Sequence, residues 1–131
     1  MKLAKIVLAC SIAFATANAG DVMQKSMAMM ENGMTKIQQG FLNNNVELIK
    51  EGSVLVKEGN ELFSDEKVIK NYLPENKKHL ANVAVTASER IRLDINVLEL
   101  NLDDKAYLNA ADAYSDMLNA CSRCHAIVRS W

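Results

Sequence analysis

Apolar residues recur along most of this chain at intervals of three and four, the spacing that places side chains on one face of an α-helix. The first such stripe consists of Met23, Met27, Met30, Met34, Ile37 and Phe41. Three consecutive asparagines, Asn43 to Asn45, then interrupt the pattern. A second stripe follows at Val46, Ile49, Ser53, Val56, Asn60 and Phe63. The pattern predicts two amphipathic helices joined by a short turn.

The second half of the chain repeats this organisation after a longer connection, residues 64–74, which ends at Pro74, a residue that suits the first turn of a helix. The third stripe is Leu80, Ala84, Ala87, Ile91, Ile95, Leu98 and Leu102. After a break at "NLDD", the fourth is Tyr107, Ala111, Tyr114, Leu118, Cys121, His125 and Val128. No segment shows sustained strand alternation. We therefore predict an all-α protein, an antiparallel four-helix bundle.

The first 19 residues have the form of a secretory signal peptide. They combine a basic start, "MKLAK", an apolar run, "IVLACSIAFATA", and a small-residue cleavage site, "ANA". Cleavage between Ala19 and Gly20 removes Cys10 and leaves residues 20–131 as one domain. "VLAC" resembles a lipoprotein box, but it would leave only four apolar residues after Lys5, so cleavage at "ANA" is preferred. We therefore predict a protein of the periplasm.

Charge and hydropathy exclude two broad classes. Removing the signal peptide takes away Lys2 and Lys5 and moves the formal charge from −1 to −3. A weakly acidic chain gives no reason to expect nucleic-acid binding. No stretch after the signal peptide approaches the roughly 20 apolar residues of a transmembrane helix, so we predict no such segment in the mature chain.

The strongest chemical signal is "CSRCH", Cys121 to His125, within two turns of the predicted fourth helix. A disulfide between Cys121 and Cys124 would strain a helix, and a zinc site needs two more ligands, where the mature chain offers only His79. A thioredoxin-like dithiol belongs beside a βαβ pattern, which is absent. Two thiols three residues apart match the vinyl groups at one porphyrin edge, and His125 then becomes the proximal iron ligand. The motif therefore predicts one covalently bound haem c near the C-terminus.

A signal peptide, four helices and a C-terminal "CSRCH" together resemble the class II cytochromes c, the cytochrome c-prime group. The resemblance covers the whole mature chain, and "CSRCH" is its only specific motif. It implies a basic residue close to the proximal imidazole, which Arg129 supplies; the alternative is a helix-end arginine that favours the negative end of the helix dipole. It also implies a homodimer through the first two helices, where Leu42, Leu48 and Leu55 are predicted to face outward.

The resemblance also places the distal side of the iron on the first helix. "AMMENG" resembles the family string V-M-K-x-N-G and selects Met29, whereas the apolar stripe favours Met27. "SMAMMENGMTKI" resembles the first helix of the soluble b-type cytochrome with this bundle, again with Met27 at the ligand position. We predict Met27 as the distal ligand candidate and Met30 as the second, although the family's arginine four residues earlier is Met23 here. Apolar packing without ligation is the alternative for these methionines, and His79 is predicted to be exposed without a haem role.

These expectations predict a periplasmic electron carrier, not an enzyme, that exchanges electrons with periplasmic redox proteins through a haem with His125 and Met27 as axial ligands. No acid–base constellation or substrate-binding motif accompanies the haem motif. The alternative is a five-coordinate haem protein that binds or buffers nitric oxide or carbon monoxide, because some unligated family members also carry a distal methionine. A bundle that haem only stabilises is the third reading, disfavoured because covalent attachment needs dedicated machinery.

Overall fold

The structure, a computed structural model, describes residues 19–129 and contains no strand within them. Five α-helices account for most of this range: α1 Ala19–Leu42, α2 Val46–Asn60, α3 Glu66–Tyr72, α4 Ala81–Asp103 and α5 Tyr107–Arg129. Two 3₁₀ segments, Glu61–Phe63 and Glu75–Leu80, lie on either side of α3. The prediction of an all-α protein is confirmed. The predicted signal peptide lies outside the described residues apart from Ala19, at which α1 begins.

The turn between α1 and α2 follows from the run of asparagines. Asn44 adopts a left-handed φ of 53°, which asparagine tolerates better than most residues. The side chain of Asn45 caps α2, since its Oδ1 accepts a hydrogen bond from the backbone N–H of Leu48 at 3.0 Å. The predicted break between the first two helices is therefore confirmed.

α1 and α2 run in opposite directions and meet along a line of glycines spaced seven residues apart, Gly33 and Gly40 on α1 and Gly52 and Gly59 on α2. A Cβ built on Gly33 would lie 2.6 Å from the backbone oxygen of Gly52, and the reverse distance is also 2.6 Å. Gly59 meets the earlier residue Met30, as expected for an antiparallel pair. The two backbones approach this closely because no side chain separates them.

Gly33→Ala is expected to lower the free energy of unfolding by about 1–3 kcal/mol, the usual range for overpacking a core. The added methyl group would meet backbone atoms that cannot move aside, which outweighs the gain of up to about 1 kcal/mol in helix propensity. Chemical denaturation followed by far-ultraviolet circular dichroism measures the change. Gly20→Ala is the matched control, because nothing lies within 4 Å of a Cβ there. Equal stability of the two variants would show that α1 and α2 do not approach this closely.

The connection between α2 and α4 is more structured than the sequence predicts, because most of residues 64–74 forms α3 and its cap. The side chain of Asp65 caps this helix by accepting a hydrogen bond from the backbone N–H of Lys67 at 2.7 Å. Its anchor in the core is Ile69, which is fully buried. A helix of two turns with one buried side chain gives no detectable period, which is why the prediction was wrong here. Pro74 precedes a 3₁₀ turn and does not stand in the first turn of α4.

The buried face of α4 agrees with the predicted third stripe, but the predicted face of α5 is partly wrong. Tyr107 and Leu118 are exposed. The buried residues of α5 are Ala110, Ala113, Met117 and Ala120. Alanine carries little hydrophobic signal in a sequence, yet its small side chain lets α5 pack closely on α4. Close packing therefore selects a face rotated from the one with the larger apolar residues.

Ion pairs and hydrogen bonds connect neighbouring helices. Lys50 Nζ on α2 lies 3.0 Å from Asp103 Oδ1 on α4. Arg90 on α4 contacts Asp94 of the same helix and reaches Asp116 on α5 at 2.8 Å. Burial raises the pKa of the Asp94 carboxyl, and the nearby Arg90 guanidinium opposes that rise. These contacts join α2 to α4 and α4 to α5 at the surface of the protein.

The surface of the described part of the chain bears on two further expectations. No helix within residues 19–129 is long and apolar enough to cross a lipid bilayer. Of the three leucines predicted to face outward, Leu42 is exposed, whereas Leu48 and Leu55 are half-buried. The first two helices therefore expose less apolar surface than the sequence predicts.

Candidate cofactor site

A cavity of about 330 Å³ lies among α1, α4 and α5, and the end of α2 contributes to its wall. The cysteines and the histidine of "CSRCH" line it from α5. Methionines of α1 also line it, and small residues of α4, Ala84, Ala87 and Ser88, leave the space open. Residues from both ends of the sequence thus meet at one cavity.

Cys121, Cys124 and His125 share one face of α5, because residues three and four apart in a helix are neighbours on its surface. All three line the cavity and are half-buried. Both cysteines are free thiols. The prediction that the motif lies on the last helix is confirmed. Because the three residues belong to one helix, its backbone fixes their positions relative to one another.

Burial controls the protonation of these three groups. It raises the pKa of the Cys121 thiol from 9.0 to about 11 and also raises the pKa of the Cys124 thiol, where the charge of Arg129 opposes it. Burial, reinforced by Arg129, lowers the pKa of the His125 imidazole. At neutral pH the cavity therefore presents two protonated thiols and a neutral imidazole with a nitrogen lone pair that can bind a metal ion.

The methionines of α1 divide between the cavity and the surface as the helical period predicts. Met27, Met30 and Met34 line the cavity, whereas Met29 does not and is 36% exposed. Met30 is 7% exposed, and Met27 is half-buried. The string alignment therefore selects a methionine that does not line the cavity. Met27 and Met30 both remain candidates for a distal ligand.

The walls of the cavity are mainly apolar, and some of the apolar side chains that line it remain exposed to solvent. Leu118 lines the cavity yet is 48% exposed, and Tyr114 beside it is half-buried. The ring of Tyr114 also packs against Phe41 of α1, with ring centroids 6.2 Å apart. Leu118 and Tyr114 belong to the stripe of α5 that the sequence predicts to be buried, whereas the structure buries the alanine face instead. An apolar group in the cavity would bury their exposed surface.

Two buried polar side chains, Asn60 of α2 and Ser88 of α4, interrupt this apolar wall. The Nδ2 of Asn60 donates to the backbone carbonyl of Ser88 at 2.9 Å, which leaves the amide oxygen facing elsewhere. That Oδ1 is buried and has no hydrogen-bond partner among the described residues. An unpaired buried acceptor costs about 1–3 kcal/mol, so a donor such as a water molecule is expected beside it.

Arg129 and His79 are the two remaining residues for which the sequence makes a prediction, and only Arg129 lines the cavity. Arg129 lines the cavity, is exposed, and lies near enough to His125 to influence its pKa, as the family resemblance implies. His79 is exposed in the 3₁₀ segment before α4 and does not line the cavity.

Comparison with protein-family models, with curated proteins and with solved structures finds no match to this chain. Among the described residues there is also no cluster of three or more His, Cys, Asp or Glu side chains arranged to hold a metal ion. A function for this chain therefore has to be inferred from the arrangement of the residues that line the cavity.

Several cavity residues were not identified as such from the sequence. Phe63 and Asn60 belong to the predicted second stripe. Asn60 is a polar residue on that otherwise apolar face, and this was the signal that could have identified it. Ser88 lies beside the third stripe, without a comparable signal. The exposed side chains of Glu31 and Gln38 belong to the polar face of α1, which periodicity assigns to solvent.

Proposed function

We propose that this chain is a periplasmic monohaem c-type cytochrome that carries electrons and is not an enzyme, similar to the class II cytochromes c. In this proposal α1, α2, α4 and α5 form an antiparallel four-helix bundle around the cavity. The observation that carries the proposal is that Cys121, Cys124 and His125 line the same apolar cavity as Met27 and Met30.

The residues of the cavity fit a covalently bound haem c. The thiols of Cys121 and Cys124 would each add across one vinyl group, the sulfur to one carbon and the proton to the other, to form two thioethers. His125 follows on the same helix face, and its neutral imidazole suits proximal ligation of iron. The partly exposed Leu118 and Tyr114 supply apolar surface that a porphyrin would cover. The site therefore offers tethers, a ligand and an apolar lining.

The opposite side of the cavity supplies thioether sulfurs from α1. Met27 is our distal ligand candidate and Met30 the second, because both line the cavity whereas Met29 does not. Arg129 would lie near the proximal imidazole and add positive charge there. A bound haem supplies a reversible ferric–ferrous couple. The axial ligands can shift the reduction potential of this couple across about 0.8 V in total. Methionine as the distal ligand is expected to give a higher reduction potential than an iron without a distal ligand.

Electron exchange needs a route from the cavity to a partner protein. Leu118 and Gln38 line the cavity and are exposed, so the cavity reaches the surface between α1 and α5. We propose periplasmic redox proteins as the partners, in keeping with the signal-peptide pattern of residues 1–19.

The second candidate function is binding or buffering of nitric oxide or carbon monoxide by a five-coordinate site. The apolar surroundings of Met27 and Met30 favour it, since methionine also serves as adaptable packing in such a cavity wall. In this case Met27 and Met30 act only as apolar packing.

Optical spectra of the exported protein test the proposal. Covalent haem c is expected to remain with the polypeptide after extraction with acidified acetone, and residues 20–131 produced without the signal peptide serve as the control. The oxidised protein is expected to be low-spin with a methionine–iron charge-transfer band. A high-spin spectrum with rapid carbon monoxide binding would support the second candidate. Haem-free exported protein, produced where other c-type cytochromes mature normally, would contradict both.

A further inference from the structure

The cavity brings together side chains with sulfur from two helices. Five of them line it: Met27, Met30 and Met34 of α1, and Cys121 and Cys124 of α5. Both thiols are free in the structure. Among the described residues, Glu31 is the only carboxylate in the lining. Thiolate and thioether ligands favour soft metal ions, whereas carboxylates favour hard ones, so the cavity offers the donors of a soft ion.

The ring contact between Phe41 of α1 and Tyr114 of α5 gives the two helices a common reference point. From it the cavity residues run toward the start of α1 and toward the end of α5. Met34 is seven residues before Phe41, and Cys121 is seven residues after Tyr114. Because an α-helix rises about 1.5 Å per residue, both lie about 10 Å along their helices from the ring contact. Met34 is therefore level with Cys121, and Cys124 is less than one turn further along α5.

The other two methionines of the cavity lie further from this level. Met30 is four residues before Met34, about one turn of the helix, and Met27 is seven residues before it, about two turns. Met34 is half-buried and packs against the core, and it has no part in the proposed haem site. Its thioether is therefore the one nearest in level to the two thiols.

We propose that the haem-free chain binds one Cu⁺ ion in this cavity, through the sulfur atoms of Cys121, Cys124 and Met34. Each thiol loses its proton to solvent, two copper–thiolate bonds and one copper–thioether bond form, and the copper stays monovalent. The proposal does not rest on the proposed haem function, because it needs the two thiols that haem attachment would consume. Copper and covalent haem would therefore exclude each other.

The donor set distinguishes Cu⁺ from Zn²⁺. Structural zinc sites are almost always tetrahedral, with thiolate, imidazole or carboxylate ligands. Within residues 19–129, no three His, Cys, Asp or Glu side chains are arranged to hold a metal ion. A thioether is a poor ligand for Zn²⁺ but a good one for Cu⁺, which also accepts a low coordination number. Two thiolates and one thioether therefore satisfy Cu⁺ and leave Zn²⁺ with too few ligands.

The surroundings of the thiols suit such a complex. Two thiolates with one Cu⁺ ion carry a net negative charge, and the positive charge of Arg129, which lines the cavity, favours the thiolate form of Cys124. The remaining lining is mainly apolar, which strengthens that attraction by excluding water. Leu118 lines the cavity and is 48% exposed, so an ion can enter from the surface beside it.

A competition titration tests the proposal. Residues 20–131, produced without the signal peptide so that no haem is attached, are reduced and titrated with Cu⁺ under anaerobic conditions against the chelator bicinchoninate. One Cu⁺ ion per chain is expected to bind. Cys121→Ser is expected to weaken binding at least about 100-fold, because even an outer-shell partner of a metal ligand typically contributes about 10–100-fold. Circular dichroism verifies that each chain is helical.

Methionine substitutions separate this site from an ordinary pair of neighbouring cysteines. Met34→Leu nearly conserves volume but removes one donor, so it is expected to weaken Cu⁺ binding about tenfold. Met29→Leu is the matched control, because that side chain does not line the cavity, and it should leave the dissociation constant unchanged. An unmodified chain that binds no Cu⁺, a Cys121→Ser variant that binds it normally, equal constants for Met34→Leu and Met29→Leu, or binding of Zn²⁺ as tight as that of Cu⁺ would each overturn the proposal.

Discussion

His125→Ala is expected to give an exported protein with little stable haem, although its helices still form. His125 is the only histidine that lines the cavity, so its loss removes the proposed proximal ligand. Cys121 and Cys124 remain available as tethers, and partial attachment through them would give a product without normal iron coordination. The ratio of haem to polypeptide, measured from the pyridine haemochrome spectrum, is expected to fall at least about tenfold, because even the loss of an outer-shell partner of a metal ligand typically costs about 10–100-fold in metal affinity or activity.

His79→Ala is the matched control for this experiment. His79 is the other histidine of the mature chain, and it is exposed and does not line the cavity. Its replacement should leave haem content and spectrum unchanged. Because His125 is only half-buried, the haem-free His125→Ala protein should keep the helical circular dichroism of the haem-free unmodified chain. Normal haem content and an unchanged spectrum in His125→Ala would contradict the proposed proximal role.

Met27→Leu is expected to change the oxidised spectrum from low-spin to high-spin, lower the reduction potential and speed the binding of carbon monoxide. The substitution removes the thioether sulfur and nearly conserves volume, so the free energy of unfolding should change by less than about 1.5 kcal/mol. The substitution leaves Cys121, Cys124 and His125 in place, so the haem content is expected to be normal. Electron paramagnetic resonance and a redox titration measure the first two effects, and stopped-flow mixing measures the third.

Parallel substitutions separate the candidates on α1. Met29→Leu is the control, because that side chain lies at the surface and does not line the cavity. Met30→Leu should perturb packing at a 7% exposed position without changing the spin state. A spin-state change in Met30→Leu alone would identify Met30 as the ligand. If the unmodified protein is already high-spin and none of the three variants alters it, the gas-binding function is the correct one.

Local sequence was enough to predict most of the secondary structure. The stripes from Met23 to Phe41 and from Ala84 to Leu102 repeat over several turns, and a long period is a strong signal. The turn at Asn43 to Asn45 was also predictable, since asparagine both adopts left-handed backbone angles and caps helices. "CSRCH" likewise lies within two turns of one helix. Each of these features depends on residues close together in the chain.

Tertiary structure alone decided the features that depend on distant residues. Gly33 and Gly52 bring two backbones together, yet each glycine by itself reads only as a weak helix former. Close packing chose the alanine face of α5 and left Leu118 at the cavity. The pairing of Asn60 with Ser88 joins residues on different helices. The helical period restricted the distal candidates to one face of α1, but which methionine approaches His125 depends on how α1 crosses α5. Side-chain volumes along several helices at once determine that crossing, and no single segment contains this information.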